Sequence, residues 1–155
     1  MANMYYSAKH IHGTRVNFGK ILEDATEERR LVRAIAYVIK ADSPDEVKFF
    51  EALDKQGFEV KMKDLQVFPG GAKKGDWDVG LAVDAIKFAP KLDVVVLVSG
   101  DGDYVPLLEY LKSNGCQVEI ISFGKSTSAR LIEAADDFID LDKNPRRYLL
   151  KTRSR

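Results

Sequence analysis

The hydrophobic pattern is most continuous just past the middle of the chain. Val94, Val95, Val96, Leu97 and Val98 follow one another without a polar break, and Ser99-Gly100-Asp101-Gly102-Asp103-Tyr104 comes next. A β-branched run bounded by Gly and Asp predicts a central strand covered on both faces. After Pro106, the spacing of Leu107, Leu108, Tyr110 and Leu111 predicts a helix that stops at Asn114-Gly115. A second doubly apolar stretch begins near Leu31: Val32, Ala34, Ala36 and Val38 alternate with Arg33, Ile35, Tyr37 and Ile39, and both sets are largely apolar. Phe58 to Lys63 alternates with period two, which predicts a strand with one solvated face. Gln117 to Phe123, with Val118, Ile120 and Ile121, and the short Phe138 to Leu141 complete the strands.

Helical spacing fills the intervals. A short helix is expected over 3–12, and Asn17 is placed to cap another from Phe18 to about Ala25. Ser43-Pro44-Asp45-Glu46 has the cap, the first-turn proline and the early acids of a helix start; Phe49, Phe50 and Leu53 form its inner face and Gly57 ends it. Val67 to Gly75, with Pro69-Gly70-Gly71 and Lys73-Lys74, reads as a loop. From Asp76, which is placed as a cap, the spacing of Val79, Ala82, Val83, Ile86 and Ala89 is helical until Pro90. Ser126 or Thr127 is placed to cap a helix through Leu131, Ile132 and Ala135. Strands alternating with helices predict an α/β fold, three-layered around a mainly parallel sheet.

At 155 residues, 45% hydrophobic and 31% charged, the composition is that of one globular domain with a substantial core. A single cysteine, Cys116, excludes an intrachain disulfide framework and a cysteine zinc cluster; at a strand start it is expected to be a buried, inert thiol. There is no signal-peptide pattern and no apolar run long enough to span a bilayer, so no membrane is expected and the cytoplasm is the default compartment. The zero net charge hides an asymmetry. Residues 143–155 hold six basic side chains and no acid, leaving 18 basic and 24 acidic side chains in 1–142. The expected organisation is a domain over 1–142 with a basic tail over 143–155, either a phosphate-contacting arm or a solvated terminus.

The chemistry lies at the end of the apolar run. Asp101 and Asp103 occupy the turn between a buried strand and a helix, the edge where open α/β sheets bind ligands. Asp78, in the first turn of the preceding helix, reaches the same edge if its strand points that way. Clustered carboxylates need a counterion, and Mg²⁺ or Mn²⁺ suits hard oxygen donors. The plainer alternative is a loop of turn formers with Asp103 as a helix cap. Asp84, about 120° around the helix from Asp78, is expected to face solvent. Lys73 and Lys74 could hold a phosphate backbone or simply solvate the loop, and Ser99 could contact a phosphate or merely close the strand. His10 and His12 have no acid or nucleophile arranged around them in sequence.

Two long motifs carry a family likeness. Lys74-Gly75-Asp76-Trp77-Asp78-Val79-Gly80-Leu81-Ala82-Val83-Asp84 and Leu97-Val98-Ser99-Gly100-Asp101-Gly102-Asp103-Tyr104, in this order and spacing, resemble the NYN domain in its LabA-like branch. Ala2-Asn3-Met4-Tyr5-Tyr6 resembles the end of that family's first motif, and Ala134-Ala135-Asp136-Asp137-Phe138 its closing helix and strand. The resemblance implies a Rossmann-like, PIN-like parallel sheet and a metal-dependent ribonuclease acting on RNA, single-stranded by expectation. It implies an acidic site of Asp78, Asp101 and Asp103 with Asn3 nearby. A non-catalytic RNA- or protein-binding module on the same fold is the alternative, and a homodimer is a candidate assembly. A haloacid-dehalogenase-type phosphatase is disfavoured, because its D-x-D belongs on the first strand. Family members also carry a strand ahead of the first motif, ending in an Asp two or three residues before the Asn. None precedes Asn3 here. The resemblance therefore implies an N-terminally truncated chain lacking one metal ligand and, with it, full activity; a GTG codon read as Met1 would explain the start.

Overall fold

The computed structural model describes residues 15–150. The expected helix over 3–12, together with Asn3, His10 and His12, lies outside them. Thirteen elements organise the rest: α1 (Phe18–Thr26), β1 (Ile35–Lys40), α2 (Pro44–Lys55), β2 (Glu59–Asp64), β3 (Gln66–Val67), β4 (Lys73–Lys74), α3 (Asp78–Phe88), β5 (Val94–Leu97), α4 (Val105–Ser113), β6 (Gln117–Ser122), α5 (Ala129–Ala134), β7 (Asp137–Asp140) and α6 (Pro145–Tyr148). The fold is mixed α/β, with parallel sheets flanked by helices.

The helix starts follow from local chemistry. Asn17 caps α1 by accepting from the Lys20 amide at 3.2 Å. At α2, Pro44 takes the first turn, and the Glu46 carboxylate reaches back to the amides of Ala41 and Ser43. Helix α4 ends before Gly115, whose positive φ of 89° a side chain would disfavour. Helix α5 starts later than the cap candidates suggest. Ser128 is its cap residue, while Ser126 belongs to a 3-10 turn and the Thr127 hydroxyl donates to the Phe123 carbonyl at 2.6 Å. Strand β1 likewise begins at Ile35, not Leu31.

Alternation along the strands sorts two cores onto opposite sheet faces. Val96, Val98, Ile121 and Ile139 join Ala36 and Val38 of β1 in a cluster closed by Phe18, Ile21, Leu53 and Tyr148 of α1, α2 and α6. Leu97, Val118, Ile120 and Phe138 face the other way, against Leu107, Leu108, Leu111 and Leu131 of α4 and α5, with Leu81, Ala82 and Ala85 of α3 packed beside them. Cys116 is buried in this second cluster, as expected. Among the described residues the parallel strands form two pieces, β1–β2 and β5–β6–β7. The first face's side-chain cluster, shared by β1, β5 and β6, spans the break. The stretch expected to be a loop contains a small antiparallel hairpin, β3–β4.

The basic C-terminal residues divide. Arg147 is held by Asp24 of α1 through its Nε at 2.8 Å and its second nitrogen, and the Tyr148 hydroxyl donates to the same carboxylate at 2.6 Å. Residues 145–150 thus pack onto α1, with the Leu150 amide donating to the Arg15 carbonyl at 2.8 Å. Arg147 is therefore committed to the body of the protein. Its guanidinium holds the Asp24 carboxyl below the usual carboxylate range; burial opposes this and Tyr148 assists. A carboxyl depressed on folding stabilises the protein above its unfolded-state pKa and loses that contribution as pH falls through the folded value. Asp24→Asn should lower the melting temperature at neutral pH by about 3 °C. The gap between variant and parent should close as pH drops below about 4, as followed by thermal denaturation monitored by circular dichroism.

Candidate carboxylate site at the sheet edge

The turn after β5 is built from its own side chains. Ser99 is buried at 7% exposure, and its Oγ accepts from the Asp101 amide at 3.2 Å. Asp101 Oδ1 in turn accepts from the Asp103 amide at 2.9 Å, which winds Gly102–Tyr104 into a 3-10 turn. Gly100 is required by close packing. A Cβ there would stand 2.8 Å from Ser122 Oγ, 2.9 Å from the Ser126 carbonyl oxygen and 3.0 Å from Thr127 Cα. The Gly100 carbonyl also accepts from the Ser128 amide at 2.9 Å, so the loop is sewn to the start of α5.

Tyr104 connects this turn to α3. Its ring is buried in the second cluster, and its hydroxyl donates to Asp78 Oδ1 at 2.9 Å. Burial, reinforced by the Asp78 carboxylate, pushes the phenol well above its ordinary pKa and keeps it a donor. Asp78 opens α3, where its amide donates to Asp76 Oδ1 at 3.2 Å. Trp77 occupies the cap position itself, and Asp76 bonds from one residue earlier than expected. Trp77 is fixed by its Nε1, which donates to the Val38 carbonyl at 2.9 Å, and by edge contact with Tyr37 at 5.4 Å between centroids. Lys63 lies over the indole at 4.4 Å and donates to the Asp76 carbonyl at 3.1 Å.

Asp78 and the Asp101–Asp103 turn thus meet at one edge through Tyr104. Asp78 and Asp103 are exposed there and Asp101 is half-buried. All three are hard oxygen donors of the kind Mg²⁺ or Mn²⁺ takes. Among the described residues, no three His, Cys, Asp or Glu side chains are grouped closely enough to enclose an ion. The donor chemistry therefore fits a divalent cation, but a closed cage is not formed. An ion here would rely on water or substrate oxygens to complete its shell, as Mg²⁺ commonly does. Lys73 and Lys74 sit exposed on β4.

Asp84 corrects an expectation. It does not face solvent: its side chain is 14% exposed, accepting from Tyr37 Oη at 2.8 Å and from Lys61 Nζ at 2.6 Å. Lys61 holds its carboxyl below the usual range, against burial and with help from Tyr37. The helix turns Asp84 toward β1 and β2, where two polar side chains on the strands balance it. Tyr104 is the residue that motif spacing misses; the available signal was an aromatic with a hydroxyl directly after the acidic turn.

The NYN domain profile matches residues 1–142. The chain belongs to the NYN domain family. Such domains are nuclease-like, generally associated with RNA and generally dependent on a divalent metal. Among its relatives is the low amplitude and bright protein LabA of Synechococcus elongatus, 28% identical over 131 residues, a match covering 81% of this chain and 70% of LabA. An uncharacterized protein of Methanocaldococcus jannaschii is 30% identical over 128 residues, covering 81% of this chain and 48% of that protein. This NYN domain thus spans about half the length of the archaeal relative. The crystal structure of a protein of unknown function from Vibrio parahaemolyticus superposes with a TM-score of 0.87 at 36% identity, covering 96% of this chain and 91% of the other. No helix among the described residues is long and apolar enough to cross a membrane.

Gly100→Ala tests the packing that sets the acidic turn. The methyl group would meet backbone atoms that cannot swing aside, so stability should fall by about 2 kcal/mol, measured by urea denaturation. Ala at Gly115 meets nothing within 4 Å but must adopt a positive φ. Its cost should be about 1 kcal/mol.

Proposed function

We propose that this NYN domain hydrolyses RNA phosphodiester bonds, using Mg²⁺ or Mn²⁺ held at the Asp78, Asp101 and Asp103 edge. The observation that carries this reading is the Tyr104–Asp78 hydrogen bond, which brings carboxylates from two separate motifs to one edge of the parallel sheet. A bound divalent ion would supply Lewis-acid activation of water and charge stabilisation at the phosphate. The chain's own residues orient the donors. Ser99 and the Asp103 amide hold the Asp101 turn, and Tyr104 fixes the Asp78 carboxylate while leaving its second oxygen for a ligand. Asn3 joins the substrate-contacting set by its place in the first motif, and Lys73 and Lys74 by their charge. Single-stranded RNA is the proposed substrate, since separated bases and backbone can reach an exposed edge.

A second reading, an RNA-binding module without cleavage, is favoured by one observation: the described carboxylates do not enclose an ion on their own. Labelled single-stranded RNA incubated with the protein and Mn²⁺ separates the two. Cleavage should appear, should stop on addition of EDTA, and should drop at least 100-fold in Asp101→Asn. RNA retained intact by a protein that still binds it would reject hydrolysis and favour the binding module.

A further inference from the structure

The hairpin β3–β4 supplies none of the carboxylates of the edge, yet its surface has an unusual composition. Residues 65–75 carry two lysines and no acid. Val67 and Phe68 are 63% and 47% exposed. Among the described residues neither Lys73 nor Lys74 has a carboxylate within salt-bridge distance. The tip is a tight turn with Pro69 at its second place and Gly70, at φ 95°, at its third, a geometry that glycine favours. Beyond Lys74, Gly75 lies flush on the body: a Cβ there would stand 2.9 Å from Ile39 Cγ2 and 3.0 Å from Leu65 Cδ1. The hairpin is therefore rooted firmly while its tip stays bare.

Register assigns the side chains to faces. Gln66 pairs with Lys74 and Val67 with Lys73, and the Phe68 amide donates to the Ala72 carbonyl at 2.7 Å. Residues directly opposite share a face, as do alternate residues along a strand. Phe68 and Lys74 therefore share one face, and Val67 and Lys73 the other. The Val67–Lys73 face continues into Leu65 and Gly75, which turn toward Ile39. Both faces are open, Val67 being the more exposed, and the Phe68–Lys74 face is the aromatic one. It presents an aromatic ring and an unneutralised ammonium two residue steps apart, a stacking surface beside a phosphate contact. Lys74 is four residues from Asp78, at most about 14 Å of chain.

We infer that the Phe68–Lys74 face of this hairpin binds single-stranded RNA, with a base stacked on Phe68 and the adjoining phosphate on Lys74, and leads the strand to the Asp78 edge. The route to the carboxylates rests on the hydrolytic reading above; binding at the hairpin does not. A duplex, whose bases are already stacked on one another, offers no free face to the ring.

The test uses the full chain in EDTA, a short fluorescein-labelled oligoadenylate and fluorescence anisotropy, with a duplex RNA of equal length beside it. Phe68→Ala should weaken oligoadenylate binding about tenfold or more while Phe68→Tyr keeps it. Lys74→Ala should weaken it and reduce the salt slope by about 0.7, and Val67→Ala, on the opposite face, should change it by less than about twofold. Binding unaltered in Phe68→Ala, an equal loss in Val67→Ala, an equal loss on the duplex, or no binding by the parent would each overturn the inference. Because metal is absent, the outcome is independent of cleavage. A Phe68 effect on binding in a protein that never cuts RNA rejects hydrolysis and keeps the hairpin site, whereas cleavage with no Phe68 effect does the reverse.

Discussion

The site depends on one hydrogen bond, from the Tyr104 hydroxyl to Asp78. The Tyr104 ring is locked among Leu97, Leu107 and their neighbours, so its position is set by the core and not by the loop. A buried hydroxyl needs a partner, because leaving it unpaired costs about 1–3 kcal/mol. The partner is a carboxylate on a different element, 26 residues away. One requirement of core packing thereby sets the distance between the two acidic motifs. The same turn is tightened from the other side by Gly100, which admits Ser122 and the start of α5.

The acids at this edge are managed by neutral donors. Asp101 takes an amide hydrogen, Asp78 a phenol and Asp76 an amide. Three carboxylates elsewhere are answered with cations: Asp84 with Lys61, Asp24 with Arg147, and the buried Glu119 with Arg29. The contrast is informative. Asp84, Asp24 and Glu119 are each neutralised by a side-chain cation, whereas the bonds to Asp76, Asp78 and Asp101 come from neutral groups. Among the described residues Lys73 and Lys74, on the hairpin ahead of this edge, pair with no carboxylate.

Much of this was legible in the sequence, for reasons tied to particular residues. The run Val94 to Val98 read as a strand covered on both faces, and Val94–Leu97 is one; Asn17, Ser43-Pro44 and Gly115 marked their helix ends by mechanisms that act within a few residues. The helix expected from Asp76 likewise appeared, beginning at Asp78. What the sequence concealed was long-range. Asp84 was expected in solvent because helix geometry alone cannot show that Tyr37 and Lys61, on strands distant in sequence, converge on it. The hairpin was hidden because strands of two residues carry no measurable period. The cap of α5 fell at Ser128 because Ser126 and Thr127 were drawn into the preceding turn. The division of the parallel strands into two pieces depends on pairing, which propensity does not encode.

A double-mutant cycle on Tyr104→Phe and Asp78→Asn, read by urea denaturation, addresses the central contact directly. Both single variants keep the shape of the side chain. If the hydroxyl and the carboxylate hold the two motifs together, the pair should show a coupling energy of about 1 kcal/mol. Additive effects, with coupling below about 0.3 kcal/mol, would mean that the two acidic motifs are positioned independently and that Tyr104 does not organise the site.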